Sequence, residues 1–206
     1  MLQISCYTGG MAQTNGYLVE SANGNFIVDA PEGMAGWLSR KSKKVSAILL
    51  THQHFDHVQD AAAIKKEHEA KIYAHSPFAR ELTLEFLMGF VSGTRFEVEA
   101  FEVDELLEGK EELEVLGASW QLAHIPGHSV DSITFYQSME KLVFGGDVLF
   151  QGSIGRTDFP NGSLEQLLQG IEIHMLTLPD DTRVLPGHGP GTTIGEERLE
   201  NEYLAG

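Results

Sequence analysis

Thr51-His52-Gln53-His54-Phe55-Asp56-His57 follows directly on the apolar run Ala47-Ile48-Leu49-Leu50. Three imidazoles and a carboxylate fall within six residues. Side chains this polar and this close cannot all enter one apolar core. A buried strand that hands over to a loop can turn them toward one point. Imidazole and carboxylate donors suit zinc, iron or manganese. The competing reading is a His-rich surface turn. Three later segments weaken it by supplying matching donors: His128 in Pro126-Gly127-His128, Asp147 in Gly145-Gly146-Asp147, and His188 in Pro186-Gly187-His188-Gly189.

The chain around this stretch has 206 residues, which suits a single domain, 1–206, with a substantial core. No apolar run approaches the length of a transmembrane helix. Met1 to Gly10 lacks a basic start followed by an apolar stretch, so no secretory signal is visible. The one cysteine, Cys6, cannot form an internal disulfide, which fits a reducing compartment and a cytoplasmic location. Formal net charge is -16, with 14 Lys and Arg. Only Arg156, Arg183 and Arg198 lie beyond Lys141. That balance argues against a nucleic-acid surface, which needs many cations facing phosphates. A small anionic substrate stays possible, because local cations and metals override a distant field.

Strands are expected from Leu2 to Tyr7, Gly16 to Glu20 and Asn25 to Asp29, with a turn at Ser21-Ala22-Asn23-Gly24. Pro31 then opens a short helix containing Trp37 and Leu38, with a basic, solvated end. Val45 to Thr51 is a buried-type strand that delivers the donor-rich loop. A helix from Val58 to Glu69 and a strand from Lys71 to His75 follow. Ser76-Pro77 reads as a helix start. Phe78, Leu82 and Phe86 recur at i, i+4, i+8, a stripe that belongs to a core more often than to a ligand channel. Glu97 to Glu114 carries nine acids and one Lys and reads as a solvated hairpin or loop edge. Further strands are expected at Leu113 to Val115, Ser119 to Ile125, Ile133 to Tyr136, Leu142 to Gly145 and Arg183 to Leu185. Ser163 and Gln166 form a capping-box signature for a helix burying Leu164, Leu167, Leu168, Ile171 and Met175. Glu196 to Leu204 is a terminal helix. Each donor segment follows a strand. Pattern alone gives a mixed α/β domain.

The donor order, H-x-H-x-D-H, then His, then Asp, then His, resembles the metallo-β-lactamase superfamily over essentially the whole chain. The resemblance implies an αββα sandwich: two β-sheets packed face to face, with helices outside. It implies two divalent metal ions, zinc first, with iron or manganese also compatible. His52, His54 and His128 would hold one ion, Asp56, His57 and His188 the other, and Asp147 would bridge them. Hydroxide held by the metals would then attack an activated carbonyl, with Asp56 orienting or deprotonating the water.

Gly152 to Gly162, with Arg156-Thr157-Asp158-Phe159, and Leu185 to Thr193 are similar to the short, single-domain bacterial glyoxalase II. That branch implies hydrolysis of S-D-lactoylglutathione to D-lactate and glutathione. Its partner is a small glutathione-derived thioester, with no nucleic acid and no membrane. Arg156 occupies a place where that family often carries a cation for the glutathione portion. A salt bridge with Asp158 is an equal alternative for it. Unlike the two-domain enzymes, the chain is not expected to carry a C-terminal helical domain. It also places Asp60 and Asp131 where glycine is common. A mono-iron glutathione persulfide dioxygenase is the rival of another reaction class. Ile154 in place of its usual Cys, and Pro186-Gly187-His188 in place of Pro-Ala-His, favour the hydrolase. A lactone or ester hydrolase is a closer competitor on the same site. The other histidines, His68, His75, His124 and His174, have no motif around them and read as ordinary surface or core residues.

Overall fold

Short runs of β-branched and aromatic residues alternate with helical segments along the chain, and the structure turns them into two mixed β-sheets. In the computed structural model, which describes residues 2–204, the chain divides into two compact units. One ends at Leu107 and the other begins at Glu108. The fold class is α/β, as expected.

The first unit opens with an antiparallel meander of β1 (Gln3–Gly9), β2 (Thr14–Ser21) and β3 (Gly24–Val28). Beyond it β4 (Ala47–Leu49), β5 (Lys71–Ala74) and β6 (Glu105–Leu106) add in parallel, in the spatial order β1-β2-β3-β4-β5-β6. Parallel neighbours need crossover connections. These are helical: α1 (Met34–Arg40), then α2 (Phe55–Val58) and α3 (Ala61–His68), then α4 (Arg80–Thr83) and α5 (Glu85–Ser92). Leu18, Ile27, Ile48 and Ile72, from four adjacent strands, meet Met34, Leu38 and Ile64 in one fully buried core. All of β4 is buried, as a parallel strand covered on both faces should be.

The second unit contains β7 (Glu112–Val115), β8 (Ala118–His124), β9 (Ile133–Gln137), β10 (Leu142–Gly146), the small hairpin β11 (Leu149–Phe150) and β12 (Ser153–Ile154), then β13 (Arg183–Pro186) and β14 (Thr192–Thr193). Its sheet runs β14-β13-β10-β9-β8-β7. Only β10 and β13 are parallel. Helix α6 (Leu164–Gly170) supplies that crossover and continues into a π-helical turn, Ile171–Met175. Helix α7 (Ile194–Glu200) follows β14. No helix among the described residues is long and apolar enough to cross a membrane.

Several expected boundaries shift, each for a local reason. The helix expected from Val58 to Glu69 is broken, with α2 and α3 separated at Asp60. There the Asp60 N–H donates to the Ala30 carbonyl at 2.9 Å and its carboxylate accepts from Ala35 N–H at 2.9 Å. Asp60 thus ties α1 to the donor segment. Ser76-Pro77 does not open a helix, because both carbonyls are taken by the Gln53 side chain. The stripe Phe78, Leu82, Phe86 does not line one face. Leu84 adopts a left-handed φ of 55°, so α4 and α5 are separate helices and Phe86 is 73 % exposed. Leu164, in the first turn of α6, is exposed, while Leu167, Ile171 and Met175 form the buried face. Ser163 does cap α6, accepting from Gln166 N–H at 3.3 Å. A full capping box appears instead at Thr193 and Glu196, which start α7.

Candidate metal centre

The first unit carries four candidate donors, His52 and His54 on the turn between β4 and α2, and Asp56 and His57 within α2. Asp29, at the end of β3, organises this turn. It takes a left-handed φ of 59°, which aims its carboxylate at the start of the donor loop. One oxygen accepts from Thr51 N–H at 2.8 Å, the other from Thr51 Oγ1 at 2.8 Å. That second oxygen also lies 2.9 Å from His57 Nδ1. Asp29 and His57 are both buried. A carboxylate on Nδ1 keeps the proton there and leaves Nε2 as the basic nitrogen, the arrangement that orients metal-binding histidines. Thr51 Oγ1, its own hydrogen given to Asp29, lies 3.1 Å from His52 Nδ1 and sets the same tautomer in His52.

His52 Nε2 and His54 Nδ1 are 3.1 Å apart, and the His52 and His57 ring centroids are 4.1 Å apart. Two nitrogens on one tetrahedral ion, each bonded at 2.0–2.1 Å, sit roughly 3.3 Å from one another. The observed spacing fits that edge. Asp56 is half-buried; its Oδ2 accepts from Thr14 Oγ1 at 2.6 Å and lies 3.6 Å from His57 Nε2.

The second unit carries three donors, each just beyond a strand. His128 follows β8. Gly127 before it has φ +132°, and a Cβ there would lie 2.6 Å from Leu167 and Ser163 atoms. Only glycine lets α6 pack this close, and its carbonyl accepts from Ser163 N–H at 2.9 Å. His128 Nδ1 lies 2.8 Å from the Arg156 carbonyl, which again leaves Nε2 as the donor to an ion. Asp147 follows β10 and His188 follows β13. The parallel pairing of Gly146 with Pro186 sets these two side by side. Asp147 Oδ2 is 3.4 Å from His128 Nε2 and 3.4 Å from His188 Nε2. That is too long for a strong hydrogen bond and close to a ligand–ligand edge about a shared oxygen.

The hairpin of β11 and β12 folds back over Asp147, and a Cβ on Gly155 would meet the Asp147 carbonyl at 1.9 Å. Glu197, buried in α7, holds this hairpin: it accepts from Gly152 N–H at 2.8 Å, Thr192 Oγ1 at 2.6 Å and Asn201 Nδ2 at 2.7 Å.

Arg156 forms a two-pronged salt bridge with Asp158, both contacts 2.7 Å, and its guanidinium lies 4.2 Å over the Phe159 ring. The guanidinium holds the Asp158 carboxyl down at about 2. We expect Arg156→Gln to return that carboxyl toward its ordinary value near 3.9. A carbon-detected NMR titration of Asp158 reads the shift, and an unmoved midpoint would show that the salt bridge is absent in solution. Three of the other histidines have ordinary partners: His68 Nδ1 accepts from Val45 N–H at 3.2 Å, His75 meets Ser76 Oγ, and His124 meets the Val130 carbonyl; His174 is exposed.

Sequence reasoning singled out seven candidate donors but neither Asp29 nor Thr14 nor Glu197. A lone Asp at a strand end carries no motif. The only available signal was that Asp29 follows a fully apolar Phe26-Ile27-Val28, where an acid is out of place unless bonded.

The model of the metallo-beta-lactamase superfamily matches residues 9–188. A probable metallo-hydrolase of Bacillus subtilis, YqgX, is 38% identical over 96% of this chain and 95% of its own. The hydroxyacylglutathione hydrolase GloC of Haemophilus influenzae is 35% identical over 93% of each. Among solved structures, the BLEG-1 B3 metallo-beta-lactamase superposes with TM-score 0.88 at 33% identity, covering 99% of this chain and 100% of that one. TTHA1623 in a di-iron-bound form superposes with TM-score 0.83 at 35% identity, covering 97% and 100%.

Proposed function

The chain belongs to the metallo-beta-lactamase superfamily, and from that premise we propose that it is a metal-dependent thioester hydrolase converting S-D-lactoylglutathione to D-lactate and glutathione. In this reading His52, His54 and His128 hold one divalent ion and Asp56, His57 and His188 a second, with Asp147 shared between them. The observation that carries the two-ion reading is the Asp147 oxygen equidistant from two imidazole nitrogens. Zinc suits the donor set, and iron does too.

Two bound ions would acidify a water to a pKa of about 7 and polarise the thioester carbonyl. The chain's own residues do the rest. Asp29, Thr51 and the Arg156 carbonyl hold the Nδ1 side of the His57, His52 and His128 rings, which leaves each Nε2 to serve an ion. Asp56, steadied by Thr14, orients the attacking water and takes up its proton. The leaving thiolate is a weak base and needs no general acid. The chain's net charge of -16 and single cysteine agree with a small-molecule enzyme of the reducing cytoplasm.

The test follows S-D-lactoylglutathione loss and, in parallel, oxygen uptake with glutathione persulfide. Thioester loss without oxygen uptake is the expected result. Persulfide-dependent oxygen uptake without hydrolysis would place the chain among the dioxygenases, and a lactone hydrolysed far faster than the thioester would change the substrate class.

A further inference from the structure

Glu197 in α7 and Asn201 at its C-terminal end are buried polar residues that no step of the proposed reaction uses. Burying a carboxylate is unfavourable unless its oxygens are well bonded, and here they are. One oxygen accepts from Thr192 Oγ1 at 2.6 Å, the other from Gly152 N–H at 2.8 Å and Asn201 Nδ2 at 2.7 Å. Asn201 Nδ2 also donates to the Ser153 carbonyl at 3.0 Å. An aliphatic side chain could pack α7 down without burying a charge. A residue with two acceptor oxygens can in addition tie separate chain segments to one point.

Two of those segments continue from candidate metal donors. Asp147 leads through Val148 into β11, and Gly152 lies in the turn between β11 and β12. The return limb lies against two donors: a Cβ on Gly155 would clash with the Asp147 carbonyl and come 3.1 Å from His128 Cβ. The next residue, Arg156, offers the carbonyl that lies 2.8 Å from His128 Nδ1. His188 sits on the loop from β13 to β14. At its start this loop is bound by Gly187 N–H to the Gly146 carbonyl at 2.8 Å. It re-enters the sheet at Thr192, opposite Val184. The hairpin after Asp147 and the strand after His188 therefore meet on one carboxylate.

We propose that Glu197 is a positioning residue for the metal centre: by fastening those two segments to one point, it sets how Asp147 and His188 stand to one another. The inference rests on the metal reading above and is independent of which substrate the centre turns over. A merely structural role for α7 predicts a different pattern. Arg198 holds the same helix through the carbonyls of Leu176 and Leu178, so if helix docking were all that mattered, loss of Arg198 and loss of Glu197 would act alike. Glu197→Gln is the conservative variant. Its amide oxygen can still accept from Gly152 and Asn201. Its NH2 can donate to Thr192 Oγ1, whose own hydrogen has a second acceptor in Glu196 Oε2, 3.2 Å away. The latch survives in Gln and is lost in Ala.

The probe is zinc itself. The zinc-loaded full chain and its variants are titrated with a chromophoric chelator, and hydrogen exchange of residues 148–156 is followed in parallel. Glu197→Ala is expected to weaken zinc retention about tenfold, the lower end for a lost ligand support, and to speed exchange across the hairpin. Asn201→Ala should move both quantities in the same direction by less. Glu197→Gln and Arg198→Ala should stay within about twofold of the wild type, since neither releases the hairpin. Equal zinc loss in Arg198→Ala and Glu197→Ala would show that helix docking alone matters and would overturn the latch. Wild-type retention in Glu197→Ala would overturn it too, with the metal reading left intact. A wild type that retains neither zinc nor iron would overturn both. Should Glu197→Ala fail to fold, Asn201→Ala set against Arg198→Ala decides the same question.

Discussion

Asp147→Ala is expected to lower kcat/KM for the thioester by at least about a thousandfold with the fold retained, a loss of about 4 kcal/mol of transition-state stabilisation. Its Oδ2 sits at equal 3.4 Å distances from His128 and His188, so in the proposed two-ion site its removal would take a ligand from both ions at once. The side chain is buried beside the β11–β12 hairpin but is no part of the apolar cores. Circular dichroism should therefore stay near wild type while metal content falls. His54→Ala should be nearly as damaging to turnover but should preferentially deplete one ion, because the proposed grouping assigns His54 to the ion held with His52 and His128. Either variant with a near-normal rate would sink the metal assignment.

Asp29→Ala should have the second largest effect, and on two quantities. The carboxylate accepts from the Thr51 amide, the Thr51 hydroxyl and His57. Removing one partner from a buried charged network costs about 3–5 kcal/mol, which urea unfolding would register. It also frees the His57 ring, and loss of such an outer partner lowers metal affinity about 10- to 100-fold. Asp29→Asn is the sharper probe. Its amide places an N–H against either the Thr51 amide or His57 Nδ1–H, so shape survives while one donor faces another. We expect metal affinity measured by chelator competition to fall in Asn as in Ala, with the smaller stability loss in Asn. Wild-type affinity in both would show that Asp29 serves the fold alone.

The candidate donors were easier to single out in the sequence than the residues that support them. Residue types able to bind a metal are few in kind and act through their own atoms, so His52, His54, Asp56, His57, His128, Asp147 and His188 stand out as candidates from the sequence alone. Strands were legible too, because β4 and β10 are short apolar runs ended by donors. Asp29 and Glu197 work only through residues distant in the chain: Glu197 contacts Gly152 across 45 positions, and no local pattern records that. The α4–α5 region failed for another reason. A leucine at positive φ is rare, and nothing in Leu82-Thr83-Leu84-Glu85 announces that Leu84 will break the helix there and leave Phe86 outside.

The measurement that bears most directly on this account is the metal count per chain of the purified wild type, taken by plasma mass spectrometry. It should be paired with the count in Asp147→Ala. The shared Asp147 oxygen predicts close to two ions in the wild type and a marked fall in the variant. A single ion in the wild type, unchanged when Asp147 is removed, would contradict the shared centre and the thioester hydrolysis built on it.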